Sequence, residues 1–124
     1  MVNVGFEPFN IVASAHTANY YFKNGTQKNK TIEVKDNRNI FHTYTLEWNE
    51  NQINTFVDDS LYFTFTKEAD DFKVWPFDKR FHLLMNLAVG GDWGGQKGIN
   101  DSIFPATLEI DYVRVFQKTG KHSK

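Results

Sequence analysis

The side chains with the clearest chemistry in this sequence are an amide and an indole on one segment. In residues 81–95, FHLLMNLAVGGDWGG, Asn86 interrupts an apolar run and Trp93 follows on a glycine-rich loop. A lone amide inside an apolar strand must be hydrogen-bonded or must face a ligand. An indole on such a loop has no obvious core to fill. The segment therefore predicts a strand whose end delivers an amide and an indole to a surface groove, a combination typical of sugar-binding sites.

The best-defined elements that could position these side chains are three segments of alternating apolar and polar residues. They cover residues 41–48, 52–57 and 61–65. The links between them, residues 49–51 (NEN) and 58–60 (DDS), have hairpin length and are rich in turn formers. This pattern predicts an antiparallel meander with one buried face.

The remaining segments extend the same reading to the rest of the chain. Residues 9–17 and 31–34 are shorter candidate strands, and residues 2–6 resemble the tail of a strand. Residues 81–89 are predicted to form a buried strand, and residues 107–117 the last strand. Because no stretch of useful length has the helical period, the predicted fold class is all-β, an antiparallel β-sandwich.

Composition narrows the function without naming it. The chain has 124 residues and a net charge of −1, so it is one domain or a piece of one, and neither nucleic acid nor an anionic membrane is favoured as a partner. No run approaches the ~20 apolar residues of a membrane span, and the first residues lack a signal-peptide pattern. The absence of cysteine excludes disulfides and zinc–thiolate sites. Aromatic residues make up 16% of the chain, which suits both strands and sugar stacking.

The order of four motifs resembles glycoside hydrolase family 16, specifically the C-terminal half of its laminarinase-like branch, the endo-β-1,3-glucanases. The motifs are FHTYTLEW (residues 41–48), VDD (57–59), WPFDKRFHLLMNLAVGGDWGG (75–95) and FPATLEIDYVRVFQ (104–117). The resemblance implies a concanavalin-like jelly-roll sandwich with the substrate groove on its concave sheet, here a partial one over residues 1–117. Residues 118–124 are expected to be a flexible basic tail.

The resemblance also indicates which chemistry is missing. The family carries E-x-D-x-x-E on one strand, with a nucleophile, an assisting aspartate and an acid/base, and the motif runs on into Met-Glu-x-Val-Gly. Here the sequence reads Met-Val-Asn-Val-Gly, so Val2 occupies the acid/base position and the nucleophile would precede residue 1. Glu109 and Asp111 have E-x-D spacing, but the position three beyond Asp111 is Arg114. No residue of this chain is therefore expected to be catalytic.

Four residues align with sugar contacts of the family: His16, Asn86, Trp93 and Trp75. For each of them a structural role is the alternative, namely a strand-end histidine bonded to backbone, a bonded amide, a lid over the core, and a Trp-Pro corner. Trp48 lies in a regular alternating strand and is expected to be in the core.

The resemblance further implies that Asp111 corresponds to a calcium-ligating aspartate. Calcium takes six to eight oxygen ligands, and the partner carbonyls are expected outside this chain, so we expect weak occupancy. No cofactor is required, and structural calcium is the one cofactor considered.

The sequence thus predicts a laminarinase-like domain acting on β-glucan, extracellular by family resemblance and inactive as this chain alone. The alternative is a non-catalytic β-glucan-binding module. A third interpretation is a truncated product, because half a jelly roll leaves edge strands unpaired. Such a chain is expected to self-associate or to need an N-terminal half.

Overall fold

The structure, a computed structural model, describes residues 2–4, as backbone only, and residues 7–118. Its strands are β1 (Val2–Val4), β2 (Glu7–Ala15), β3 (Lys28–Glu33), β4 (Tyr44–Trp48), β5 (Gln52–Val57) and β6 (Ser60–Thr66). A four-residue helix, α1 (Gly91–Gly94), and 3₁₀ turns at Phe22–Asn24 and Asp101–Ile103 complete the regular structure. In the described part of the chain, no helix is long and apolar enough to cross a membrane. The predicted all-β antiparallel class is confirmed.

The first sheet has the order β1-β2-β3 and is antiparallel throughout. The pairing of β2 with β3 runs without interruption from Asn10 opposite Glu33 to Ala15 opposite Lys28. The centre of β2 is an apolar stretch in which Ile11 and Ala13 are buried. His16, the residue that follows β2, therefore lies at one end of this sheet.

The second sheet has the order β4-β5-β6 and is the meander that the alternation predicts. Tyr44 pairs with Val57 and Trp48 with Ile53, so the apolar positions of neighbouring strands share one face. The turn between β5 and β6 contains Asp58 at φ 52°, a left-handed conformation that aspartate tolerates better than most residues.

The core lies where the two sheets meet the segment that follows β6. Its buried members include Ala13 and Ala15 from β2, Phe63 and Phe65 from β6, and Trp75. The Phe65 ring contacts the rings of Tyr20, Trp75 and Phe77 at centroid distances of 5.7, 5.3 and 6.1 Å. Aromatic packing at these distances contributes about 0.5–1.5 kcal/mol per pair beyond burial.

Two predicted strands are absent. Residues 81–89 and 107–117 have no regular secondary structure and pair with no strand among the described residues. Their large apolar side chains are exposed, from Leu87 at 51% to Leu84 at 79% in the first segment, and from Ile110 at 47% to Phe116 at 86% in the second. The prediction that residues 81–89 form a buried strand is wrong for this chain, because a strand is defined by a hydrogen-bonding partner and by packing that the described residues do not supply.

The expectation that Trp48 lies in the core is also wrong. Its side chain is 43% exposed, and Tyr44 and Leu46 on the same strand are 44% and 54% exposed. They share a face with the buried Thr55 and Val57 of β5, but β4 is the edge of its sheet and its apolar face is left uncovered. Trp48 instead donates its indole N–H to the Phe77 carbonyl at 2.8 Å.

Candidate functional site

His16 directly follows β2, in a turn that the backbone closes. Thr17 N–H donates to the Tyr20 carbonyl at 2.9 Å, and Tyr20 N–H donates to the Thr17 hydroxyl at 3.1 Å. The His16 side chain is exposed, and its ring lies edge-on to Phe22 with centroids 6.3 Å apart. An exposed imidazole at a strand end can donate to or accept from a sugar hydroxyl.

Trp93 lies in α1, on a loop shaped by glycines. Gly90 and Gly91 have φ values of 71° and 78°, where a residue with a Cβ is strained. A Cβ on Gly90 would also meet the Ile99 side chain at 3.0 Å. The Trp93 side chain is 37% exposed, so part of its ring is open for stacking.

Asn86 is exposed, as is the whole of segment 81–89 around it. Asn86 is therefore not the lone amide inside a buried strand that the sequence predicts. No hydrogen bond or ring contact among the described residues joins His16, Asn86 and Trp93. The three groups are accessible, but the chain does not assemble them into one contact network.

Trp75, the fourth predicted sugar contact, is a core residue. It is 2% exposed, and its ring packs against Phe65 and Phe77. The prediction that Trp75 stacks on sugar does not fit this structure, because stacking needs an open ring face. The structural alternative for the Trp-Pro corner describes it better.

The acidic candidates do not form a catalytic or metal centre among the described residues. Glu109 and Asp111 are both exposed, in segment 107–117. Within residues 7–118, no group of three His, Cys, Asp or Glu side chains lies close enough to hold a metal ion. A single carboxylate supplies at most two of the six to eight oxygens that calcium takes. Calcium at Asp111 stays a prediction. The side chain of Val2 lies outside what the structure describes.

A polar cluster that the sequence pattern does not reveal lies beside an open groove of about 500 Å³ between β3 and β6. Tyr20 donates its hydroxyl to Glu68, and Lys28 forms an ion pair with the same carboxylate at 3.1 Å. These hydrogen bonds, from Tyr20 first and Lys28 second, lower the pKa of Glu68. The hydrogen bond to Glu68 raises the pKa of Tyr20. Partners so far apart in sequence leave no local signal, so only the fold brings them together.

A second cluster fixes the loop before β4. The His42 side chain is only 6% exposed, with Nδ1 2.9 Å from Asp58 Oδ2 and Nε2 3.2 Å from Asp36 Oδ1. The Asp58 contact is a hydrogen bond, whereas that to Asp36 is an ion pair without hydrogen-bond geometry. The hydrogen bond to Asp58 is the main reason that the pKa of His42 is raised and that of Asp58 lowered. Thr43 N–H also donates to Asp58, at 3.0 Å.

Comparison with known proteins identifies relatives that act on or bind β-glucans. The model of the family "Glycosyl hydrolases family 16" matches residues 5–114. A β-glucanase from Rhodothermus marinus is 47% identical over 122 residues, which cover 94% of this chain and 43% of the relative. A β-1,3-glucan-binding protein from Penaeus monodon is 32% identical over 71 residues, or 44% of this chain and 19% of the relative. The chain thus spans less than half the length of these relatives.

Solved structures give the same picture. The laminarinase from Rhodothermus marinus superposes with a TM-score of 0.79 at 46% identity, over 83% of this chain and 43% of that chain. A mutant of SCLam, a non-specific endo-β-1,3(4)-glucanase co-crystallised with 1,3-β-D-cellotriosyl-glucose, superposes with a TM-score of 0.69 at 28% identity. That match covers 82% of this chain and 39% of the other. Both relatives support the jelly-roll type of sandwich, of which this chain contains a part.

Proposed function

Since the chain belongs to family 16 of the glycosyl hydrolases, we propose that it forms part of a laminarinase-like domain that acts on β-1,3-glucan. The observation that carries this proposal is the similarity to one laminarinase. The chain is 47% identical to the β-glucanase from Rhodothermus marinus and superposes on the laminarinase of that organism with a TM-score of 0.79. A polysaccharide ligand also accords with the extracellular location that the family resemblance implies.

The proposed sugar contacts are His16, Asn86 and Trp93. All three side chains are exposed, as a carbohydrate site requires. An imidazole and an amide supply donors and acceptors for sugar hydroxyls, and an indole supplies a stacking face. Trp75 is omitted because its ring is buried in the core.

The 124 residues are proposed to bind glucan without cleaving it. Cleavage with retention uses two carboxyl groups about 5–5.5 Å apart. No stretch of the sequence reads E-x-D-x-x-E, and Val2 stands where the acid/base of that motif is expected. His16, Asn86 and Trp93 can orient a sugar but cannot supply a carboxylate nucleophile.

A non-catalytic glucan-binding role is the second candidate. It is favoured by the similarity to the β-1,3-glucan-binding protein from Penaeus monodon. The two candidates share the sugar contacts and differ in whether further polypeptide adds the catalytic carboxylates.

Calorimetry with laminari-oligosaccharides and a reducing-sugar assay on laminarin would test the proposal on the purified chain. Binding without sugar release is the expected result, and a gluco-oligosaccharide with only β-1,4 linkages serves as the control ligand. Sugar release that persists after contaminating glucanase has been excluded would contradict the absence of catalysis. If none of the oligosaccharides binds, the proposal that this chain alone forms a sugar-binding site would be wrong.

A further inference from the structure

The loop between β2 and β3 contains the one asparagine of the chain that precedes a glycine, Asn24. Asn24 is the last residue of a 3₁₀ turn, and Gly25 ends that turn in the left-handed region at φ 66°. Both residues are exposed. A Cβ at Gly25 would meet no atom within 4 Å, so the space beside it is open. An exposed carboxamide and an unhindered backbone amide are thus direct neighbours here.

This pair can react within the chain. The backbone nitrogen of Gly25 can attack the carbonyl carbon Cγ of Asn24, which closes a five-membered imide ring. In each of the other asparagine pairs of the sequence, the next residue has a side chain that crowds its own backbone nitrogen. Glycine has no side chain and adopts the widest range of backbone conformations, so the barrier to ring closure is lowest at Asn24.

The atoms of the reaction balance with water as the only co-reactant. A bond forms between Gly25 N and Asn24 Cγ, and the bond from Cγ to the side-chain nitrogen breaks. That nitrogen leaves as ammonia, with the proton that Gly25 N gives up. Water then opens the imide. Cleavage of the new bond to Cγ gives aspartate, whereas cleavage of the original peptide bond gives isoaspartate, in which the main chain runs through the side chain. No oxidant or reductant is needed.

Two backbone hydrogen bonds restrain the pair in the folded chain. Asn24 N–H donates to the Tyr21 carbonyl at 3.1 Å, and Gly25 N–H donates to the Phe22 carbonyl at 3.0 Å. Ring closure needs the second bond to open, so the rate follows the population of the opened turn. The turn has three residues, none of them buried, and no side-chain hydrogen bond at its N-cap. Opening it therefore exposes little new apolar surface.

Asparagines in two other exposed turns are held more firmly. Asn100 Oδ1 accepts from the N–H of Ser102 at 3.1 Å and from its hydroxyl at 2.7 Å. Asn49 Oδ1 accepts from Asn51 N–H at 2.9 Å. In both turns the next residue is acidic. In the described part of the chain, the carboxamide of Asn24 makes no such bond, so it is the one best placed to react.

We propose that Asn24 is a site of spontaneous modification, at which the chain releases ammonia and converts to aspartate and isoaspartate. Isoaspartate inserts an extra carbon atom into the main chain of the turn. Thr26 Oγ1 accepts from Tyr21 N–H at 3.0 Å and donates to the Asn19 carbonyl at 2.8 Å. These two bonds close the loop across the modified link, so the longer main chain should weaken them.

The modified turn lies beside His16. The ring of Phe22, in the same 3₁₀ turn, is edge-on to the His16 ring with centroids 6.3 Å apart. Isoaspartate at position 24 therefore changes the surroundings of His16. The meaning of that change for sugar binding rests on the proposed function, whereas the chemistry at Asn24 does not.

The test incubates the purified 124-residue chain in mildly alkaline buffer and digests it with trypsin, which releases residues 24–28 (NGTQK). Mass spectrometry is expected to show this peptide losing its amide form and giving two products of equal mass. A methyltransferase specific for isoaspartate should label one of them. The rate should lie within about tenfold of that of a free peptide with the same sequence, which corresponds to an opening cost of no more than about 1.4 kcal/mol.

Asn24→Gln is the matched variant, because it keeps a carboxamide but would have to close a larger ring. It should stay in the amide form over the same incubation. Hydrogen exchange at residues 21–26 should become faster in the isoaspartate form of the unchanged chain and should stay constant in Asn24→Gln. None of these readouts involves sugar, so they can fail while the proposed glucan binding holds, and the reverse.

Three outcomes would overturn the inference. One is a peptide 24–28 that keeps its amide while the free peptide converts completely, which would show that the folded turn blocks ring closure. Another is ammonia loss from Asn24→Gln at the same rate, which would exclude the five-membered ring as the route. The third is faster conversion at another asparagine, such as Asn100, which would assign the modification elsewhere.

Discussion

The two sheets and the segments that follow residue 78 differ in whether other parts of the chain cover their apolar side chains. Phe65 is 3% exposed on a paired strand, whereas Leu84 is 79% exposed on an unpaired segment. Their immediate sequences, YFTFT and HLLMN, are both rich in large apolar side chains. The difference is that β6 has a paired neighbour in β5 and residues 74–77 lie over it. Apolar sequence therefore becomes core only where other polypeptide covers it.

The largest expected effect comes from truncating one residue on each side of this comparison. Phe65→Ala should lower the free energy of unfolding by about 3–5 kcal/mol, because it removes a buried ring and leaves a cavity. Leu84→Ala should change it by no more than about 0.5 kcal/mol, because little contact is lost. Urea denaturation followed by tryptophan fluorescence measures both. Similar losses in the two variants would mean that segment 81–89 is packed in solution.

A smaller effect is expected at the link between the two regions. Trp48→Phe removes the indole N–H that donates to the Phe77 carbonyl at 2.8 Å but keeps a ring near Phe81. The loss should be about 0.5–1.5 kcal/mol, the net value of one hydrogen bond. Faster hydrogen exchange at residues 77–81, with unchanged exchange in β5, is the specific signature. Unchanged exchange both at residues 77–81 and in β5 would show that the hydrogen bond from Trp48 does not stabilise residues 77–81.

Trp93 and Trp75 are both predicted from the sequence to contact sugar, but substitutions at the two positions should have different effects. Trp93→Ala should weaken binding of laminari-oligosaccharides about fivefold, if stacking is worth about 1 kcal/mol, and should leave the unfolding midpoint unchanged. Trp75→Phe should lower that midpoint, and any change in binding should follow the fraction of folded protein. Calorimetry and thermal unfolding on the same samples decide the matter. Strong loss of binding in folded Trp75→Phe would restore Trp75 to the site.

The smallest effect is a dependence of stability on pH that originates at His42. Its pKa is raised in the folded state by the hydrogen bond to Asp58. Its contribution is therefore fully present below the unfolded pKa of about 6.5 and is lost as the pH rises through the raised folded value. Both carboxylates are more than half exposed, so the contribution should stay below about 1 kcal/mol.

His42→Gln tests this contribution against the unchanged chain. Urea unfolding near pH 6 and near pH 8.5 compares stability on the two sides of the ordinary histidine pKa of about 6.5. The difference in stability between the two proteins should be larger at the lower pH. An equal difference at both pH values would assign His42 a packing role only. The lowered pKa of Asp58 acts in the opposite range, since its contribution is lost as the pH falls through that value.

Local pattern in the sequence predicted β2, β4, β5 and β6, the hairpin links and the shared faces of the meander. Alternation determines these features because side chains on a strand point to opposite faces with a period of two. The four ordered motifs predicted the family, and the match over residues 5–114 confirms it. The role of His16 and Trp93 as sugar contacts stays a prediction.

Only the tertiary structure decided what is covered. Alternation places Trp48 and Val57 on one face, yet β4 is an edge strand, so Trp48 is 43% exposed and Val57 is 3% exposed. The tertiary structure also buries Trp75 and leaves segments 81–89 and 107–117 without a strand partner among the described residues. The reason is physical: a strand pattern specifies which side chains share a face, whereas burial depends on neighbours that are distant in sequence or supplied by other polypeptide.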